Sequence, residues 1–214
     1  RLRDMAMGLL GRSASGLRMA SNLAVAFLPA AVIGLLFEKT IKAYLFGGDK
    51  WGLWPVVAAW FAGGVAILLV NGWMVNRRQG ADGKGLDAIT VRMALCIGLA
   101  QCLAMWPGVS RSLASIIGGM LAGLTVMAAV EFSFLLGLVT LSAATAVDVL
   151  HHGGEIVRLY GWLEPAVGVV TAMVFAAVAV KWMVAYLQKR SMAIFGCYRI
   201  LLAIITTAWL LSMR

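Results

Sequence analysis

The stretch from Ala88 to Gly123, AITVRMALCIGLAQCLAMWPGVSRSLASIIGGMLAG, is apolar enough to enter a bilayer, yet Pro107, Gly108 and Arg111 interrupt it near the middle. One straight helix does not fit it. Pro107 lacks a backbone donor and disfavours a helical conformation at Trp106, while Gly108 reaches backbone angles closed to other residues. The economical solution is two half-helices meeting at a turn, a re-entrant hairpin. Such a break is permitted at membrane depth only where protein or water satisfies the freed backbone groups.

Around it, the chain of 214 residues is 62% hydrophobic and only 13% charged. That excess over a soluble domain has to be solvated by lipid. Apolar runs near the roughly 20 residues needed to cross a bilayer predict spans at about Met19 to Phe37, Trp51 to Val75, Thr125 to Ala146, Leu163 to Tyr186 and Phe195 to Met213. Pro29 is a tolerated breaker within the first, and Trp51 and Trp54 suit the headgroup end of the second. Arg1 to Arg18 reads as a basic lead-in, Glu38 to Lys50 as a loop, Asn76 to Leu86 as a polar turn, and His151 and His152, beside Gly153 and Gly154, as a solvated loop.

The expected fold is therefore an all-α integral membrane protein, about five transmembrane helices plus one re-entrant hairpin, in a single membrane domain over residues 1–214. The formal charge of +9 does not imply nucleic acid, because the Lys and Arg residues are spread through short connections. They read as topology signals. Arg1, Arg3, Arg12, Arg18, Arg77, Arg78, Lys84, Arg92, Lys189 and Arg190 fall on one side, and Lys39, Lys42, Lys50, Arg158 and Arg214 on the other. The richer side is expected to be cytoplasmic and the C-terminus outside. Cys96, Cys102 and Cys197 lack paired spacing and read as packing residues, with neither a disulfide framework nor a zinc site implied.

Ionisable groups within a membrane are costly, which directs attention to Arg111 and Glu131. A phosphate needs a planar cation able to bond two oxygens at once, with short donors close to the backbone. Arg111 with Ser110, Ser112 and Ser115 supplies both, at a helix start whose free N–H groups favour an anion. Gly108 leaves room for an anion to approach. The plainer reading is that Ser110 or Ser112 caps the helix while Arg111 snorkels. Glu131 either pairs with Arg111, orients it or joins a metal shell, or makes a structural contact between helices. Gln101 either faces the same cavity or hydrogen-bonds another helix. Lys181 and Arg199 are expected to snorkel to an interface.

Gln101 to Ser112 (QCLAMWPGVSRS), then Gly118-Gly119-Met120 and Glu131-Phe132-Ser133-Phe134, resembles the undecaprenyl-pyrophosphate phosphatases of the bacitracin-resistance family. Pro29 to Phe37, Ala179 to Lys181 and Tyr198-Arg199 extend the resemblance over nearly the whole chain. It implies a bundle of two inverted-topology repeats in a bacterial plasma (inner) membrane, each repeat giving one hairpin to a central site. It also implies hydrolysis of the carrier lipid's pyrophosphate to monophosphate, which recycles the carrier for peptidoglycan synthesis. The second hairpin's motif maps onto Ser110, Arg111 and Ser112 as the pyrophosphate grip. Ser115 stands where threonine is usual, Leu113 where a small residue is usual, and Leu138 to Val139 where a proline is usual.

The family's first hairpin, with a Glu-rich motif and a Pro-x-Ser-Ser-x-Gly-His motif, has no counterpart here. The chain opens on Arg1 rather than Met, so an N-terminal portion holding that hairpin is expected to precede it. The resemblance implies Mg²⁺ or Ca²⁺ in the complete enzyme, with its ligands mostly absent from this chain and no metal ligand assigned in it. The chain by itself is expected to be inactive. Its expected partners are a polyprenyl pyrophosphate and the bilayer, with a homo-oligomer left open. A transporter or lipid flippase, or an inactive paralogue, is the alternative reading.

Overall fold

In the computed structural model, the described residues are 2–41, 52–77, 83–189 and 191–212. Several residues of the charge tally, among them Lys42, Lys50, Arg78, Arg190 and Arg214, lie outside them, as does Trp51. The described helices are α1 (Leu2–Leu9), α2 (Ala14–Ile41), α3 (Trp54–Arg77), α4 (Val91–Cys102), α5 (Arg111–Leu121), α6 (Val126–Tyr160), α7 (Leu163–Lys189) and α8 (Ala193–Ser212). Five of them, α2, α3, α6, α7 and α8, are long and apolar enough to cross a membrane. Large side chains such as Leu35, Met173 and Phe175 are exposed on their outer faces. An outward-facing apolar surface of this extent is that of an all-α integral membrane protein, whose solvent is hydrocarbon.

Three expectations are corrected. The basic lead-in is more than a connection, because within it α1 folds back against α2, with the Gly8 backbone lying on that of Gly16 and Leu17. The span placed at Thr125 to Ala146 continues as helix to Tyr160. His151 and His152 consequently lie inside α6, not in a loop. Gly153 and Gly154 read as a turn, but an adjacent pair of glycines lowers helix propensity without ending a helix that is otherwise continuous. The break comes at Gly161, whose φ of 73° with ψ of −172° is backbone that glycine readily adopts and other residues rarely do.

α4 and α5 form the hairpin, joined by a 3₁₀ turn over Leu103–Met105 and the Trp106–Ser110 tip. Each following or flanking helix starts on a hydroxyl cap: Thr90 Oγ1 accepts from Met93 N, Ser110 Oγ from Leu113 N and Thr125 Oγ1 from Ala128 N. At the base, Lys84 N donates to the Gly123 carbonyl at 2.9 Å, and Thr125 N donates to the Lys84 carbonyl at 3.1 Å. The segment therefore enters and leaves at one level. Arg18 Nη2 donates to the Asp87 carbonyl and Asn22 Nδ2 to that of Ile89 at 3.0 Å, which ties the start of α2 to the same base.

The arms pack closely because small residues line their contacts. A Cβ on Gly98 would collide with the Ala26 carbonyl of α2, and one on Gly118 would stand 2.5 Å from the Ala100 Cβ across the hairpin. Ile97, Val130, Phe132 and Leu136 fill the core between α4, α5 and α6. The other end of the molecule is an α3–α8 pair, joined where Gly64 and Gly196 meet.

Two measurements test this arrangement. On a background lacking Cys96, Cys102 and Cys197, single cysteines at Ala88 and Gly123 should be labelled from the same membrane face; labelling from opposite faces would refute re-entrance. Gly98→Ala should lower stability by about 1–3 kcal/mol, because a carbonyl oxygen cannot yield as a flexible side chain does. Thermal unfolding in detergent reads it.

Candidate anion site at the hairpin tip

Pro107 and Gly108 turn the chain out of the first arm, Gly108 with φ 88°, and Ser110 restarts the helix. Arg111 is thus the first residue of α5, beside the free N–H groups of its first turn. Its guanidinium extends toward α6, where a Cβ on Gly137 would lie 2.6 Å from Nη2. The absence of a side chain at Gly137 makes this placement available.

There Arg111 lines an open cavity of about 380 Å³ between α2, the first arm and α6. Phe27 and Gly34 face it from α2, Gln101 from α4, and Thr140 and Asp148 from α6. Arg111 Nη1 is buried without a hydrogen-bond partner, and so is Gln101 Oε1. Gln101 is 3% exposed, and its Nε2 meets Thr140 Oγ1 at a long 3.5 Å. A half-buried cation with an unpartnered N–H, at a helix start and beside a cavity with mostly apolar walls, has the chemistry to hold an anionic group on an apolar body.

The expected site residues divide. Arg111 and Gln101 are brought to this cavity. Ser110 uses its hydroxyl as the cap of α5, as the plainer reading held. Arg111 does not snorkel to an interface, contrary to that reading. Ser112 is half-buried, and its carbonyl accepts from Ser115 and Ser133. Ser115 is 2% exposed and turned into the α5–α6 contact, with its hydroxyl 2.7 Å from that of Ser133 and bonded to the Arg111 carbonyl at 2.9 Å. It does not face the cavity. Three residues on from Ser112 is most of a turn, and the crossing of α6 decides which side of α5 is covered. Glu131 is half-buried on α6 and forms no ion pair with Arg111, whose Nη1 remains unbonded.

Gly137, Thr140 and Asp148 were not singled out from the sequence. Their signal is periodicity, because Gly137, Thr140, Ala144 and Asp148 recur at helical spacing along one face of α6. Among the described residues, no three His, Cys, Asp or Glu side chains gather as a metal site. Asp148 is the carboxylate among the residues lining this cavity. Such a donor set does not fit Mg²⁺ or Ca²⁺, which require several oxygen ligands.

Fold and site together define a multi-pass membrane protein with an arginine-bearing re-entrant hairpin beneath an apolar cavity. Residues 2–205 match the family described as BacA, bacitracin resistance protein BacA, and the chain belongs to that family. It is 41% identical over 203 residues to an undecaprenyl-diphosphatase of Sorangium cellulosum, covering 94% of this chain and 64% of that protein. It is 41% identical over 211 residues to undecaprenyl-diphosphatase 2 of Rhodospirillum rubrum, covering 98% and 73%. A relative from Aquifex aeolicus, also named undecaprenyl-diphosphatase, is 38% identical over 186 residues, covering 87% and 70%. The chain thus spans 64% to 73% of the length of these curated relatives.

Two substitutions separate the roles of these residues. Gly137→Ala should displace the Arg111 guanidinium and weaken binding of inorganic pyrophosphate by about tenfold, the scale of one charge-assisted hydrogen bond. Ser115→Ala should lower the unfolding temperature and leave that affinity within about twofold. Calorimetric titration beside thermal unfolding, both in detergent, distinguishes the two.

Proposed function

We propose that this chain supplies the pyrophosphate-gripping part of a membrane phosphatase that converts undecaprenyl pyrophosphate to undecaprenyl phosphate and inorganic phosphate. The observation that carries this is the buried, unpartnered Arg111 Nη1 in an apolar-walled cavity at the start of α5. The printed names of the relatives supply the substrate. In the reaction, water forms a bond to the terminal phosphorus, the bridging anhydride P–O bond breaks, and the negative charge on the phosphoryl oxygens is rearranged. Arg111 neutralises that charge, the first-turn N–H groups and the Ser112 hydroxyl orient the oxygens, and Gly108 and Ser110 shape the approach. Gln101 holds the cavity wall opposite. Ser115 acts through its hold on the Arg111 carbonyl, a supporting role in place of direct contact.

An acid/base group and a divalent cation, Mg²⁺ or Ca²⁺, are further requirements of this reading, and no residue of this chain is assigned to either. The protein works in the bacterial inner membrane, with the base of the hairpin cytoplasmic, the C-terminus outside, and the spent carrier met at the outer face.

The test is phosphate release from undecaprenyl pyrophosphate by the purified full-length gene product. Arg111→Lys should slow turnover by roughly 10- to 150-fold, because lysine offers one mobile ammonium where a guanidinium bonds two oxygens in a plane. Arg111→Ala should cost more. The comparison is made at matched thermal stability, since a buried charge also affects folding. Turnover at the parent rate in both variants would remove Arg111 from the site. Exchange of labelled lipid across vesicles without phosphate release would identify a transporter instead.

A further inference from the structure

We infer that Arg199 is a positioning residue for the Arg111 site, holding the hairpin tip in place through the Gly108 carbonyl. The inference rests on the function proposed above for that site. Arg199 does not snorkel as its sequence context suggests. It is half-buried on α8, and its Nη2 donates to the Gly108 carbonyl at 2.8 Å and to the Ala59 carbonyl of α3 at 3.2 Å. Its Nε is buried without a partner. A Cβ on Gly63 would stand 2.8 Å from Nη2 and 3.1 Å from Nε, so Gly63 makes the room that the guanidinium occupies.

The position of the accepting carbonyl gives this bond its weight. Gly108 lies where the chain has left one half-helix and not yet entered the next, so no helical N–H is due to its oxygen. It stands two residues before the Ser110 cap and three before Arg111. On this side the tip also rests on α3, where a Cβ on Gly108 would stand 2.8 Å from the Val56 carbonyl. Trp106 Nε1 donates to the Pro55 carbonyl at 3.0 Å, but beyond that point α3 and α5 are separated by an apolar groove of about 580 Å³ lined by small residues such as Ala62, Ala66 and Gly118. Beside that backbone contact, two hydrogen bonds fix where the tip stands, and the charged one comes from Arg199. Misplacing a reacting or binding group by about 1 Å costs on the order of 100-fold in rate, so a tip held by few bonds is sensitive to losing one.

The experiment uses the full-length protein with undecaprenyl pyrophosphate, and compares Arg199→Met, Arg199→Lys, Gly63→Ala and the Gly63→Ala/Arg199→Met pair at matched unfolding temperatures. Arg199→Met should lower kcat by about 10- to 100-fold with KM changed by less than about threefold. Arg199→Lys should recover part of the loss, since an ammonium can still reach one carbonyl. Gly63→Ala, which displaces the guanidinium without deleting it, should lower kcat severalfold and add nothing once Arg199 is gone. Parent-level kcat in Arg199→Met, or an undiminished Gly63→Ala effect in its presence, overturns the inference. If Arg199→Met does not fold, Gly63→Ala decides, and an unchanged kcat there overturns it.

A second readout does not depend on phosphatase activity. On this chain without its native cysteines, maleimide modification of Val109→Cys should quicken severalfold on adding Arg199→Met, while Ala122→Cys at the base should not change. An unchanged rate at Val109 overturns the inference even where no phosphate release is seen. Absence of phosphate release together with a quickened rate counts only against the proposed function.

Discussion

Everything in this fold follows from the need to satisfy a broken backbone where water is scarce. Between Met105 and Arg111 the chain leaves helical geometry at membrane depth, and each orphaned N–H or C=O there would cost several kcal/mol. Local turns meet part of the need, with Trp106 N on the Leu103 carbonyl and Val109 N on that of Trp106. The Ser110 hydroxyl takes one first-turn N–H, and Arg199 answers the Gly108 carbonyl from a helix 91 residues away in sequence. Two distant helices, α3 and α8, are thereby bound into the geometry of a turn they do not form. Small residues along the arms then let α2 and α6 close around it.

The hairpin was legible because proline, glycine and arginine in one apolar run leave few alternatives. The five long helices were legible for a simpler reason: their length and lack of charge fit only one solvent. What escaped was the direction of individual side chains. Arg199 reads as an interfacial arginine because its helix is apolar all round and nothing local marks which flank meets the tip. Ser115 reads as a ligand donor because spacing along α5 is visible and the crossing of α6 over it is not. Its engagement with Ser133 depends on a contact 18 residues away. The end of α6 was misplaced because Gly153 and Gly154 outweighed the surrounding helix formers in a local reading.

The Arg111 cavity also shows why chemistry at this depth requires an unpaired charge. Had Glu131 neutralised the guanidinium, the pair would be a structural contact, with its hydrogen bonds already spent inside the protein. Instead Arg111 carries a buried N–H with no acceptor and Gln101 a buried acceptor with no donor, and both residues line one cavity. The unpartnered N–H favours a ligand that carries an acceptor and the guanidinium charge favours an anionic one, while the free Gln101 oxygen favours a donor.

The hydrogen bonds between Lys84, Gly123 and Thr125 at the hairpin base also constrain how the molecule is assembled. α4 and α5 run to 12 and 11 residues, too short for either to partition across a bilayer alone at about 20 residues per crossing. Neither arm can be threaded into the membrane as an independent stop or start of translocation. The pair has to be admitted together, after α2 and α6 have made a protein-lined place for a chain that hydrocarbon would reject. Helix length thus favours assembly in two stages, long helices first and hairpin afterwards, with the hairpin tip set in place only at the last of them.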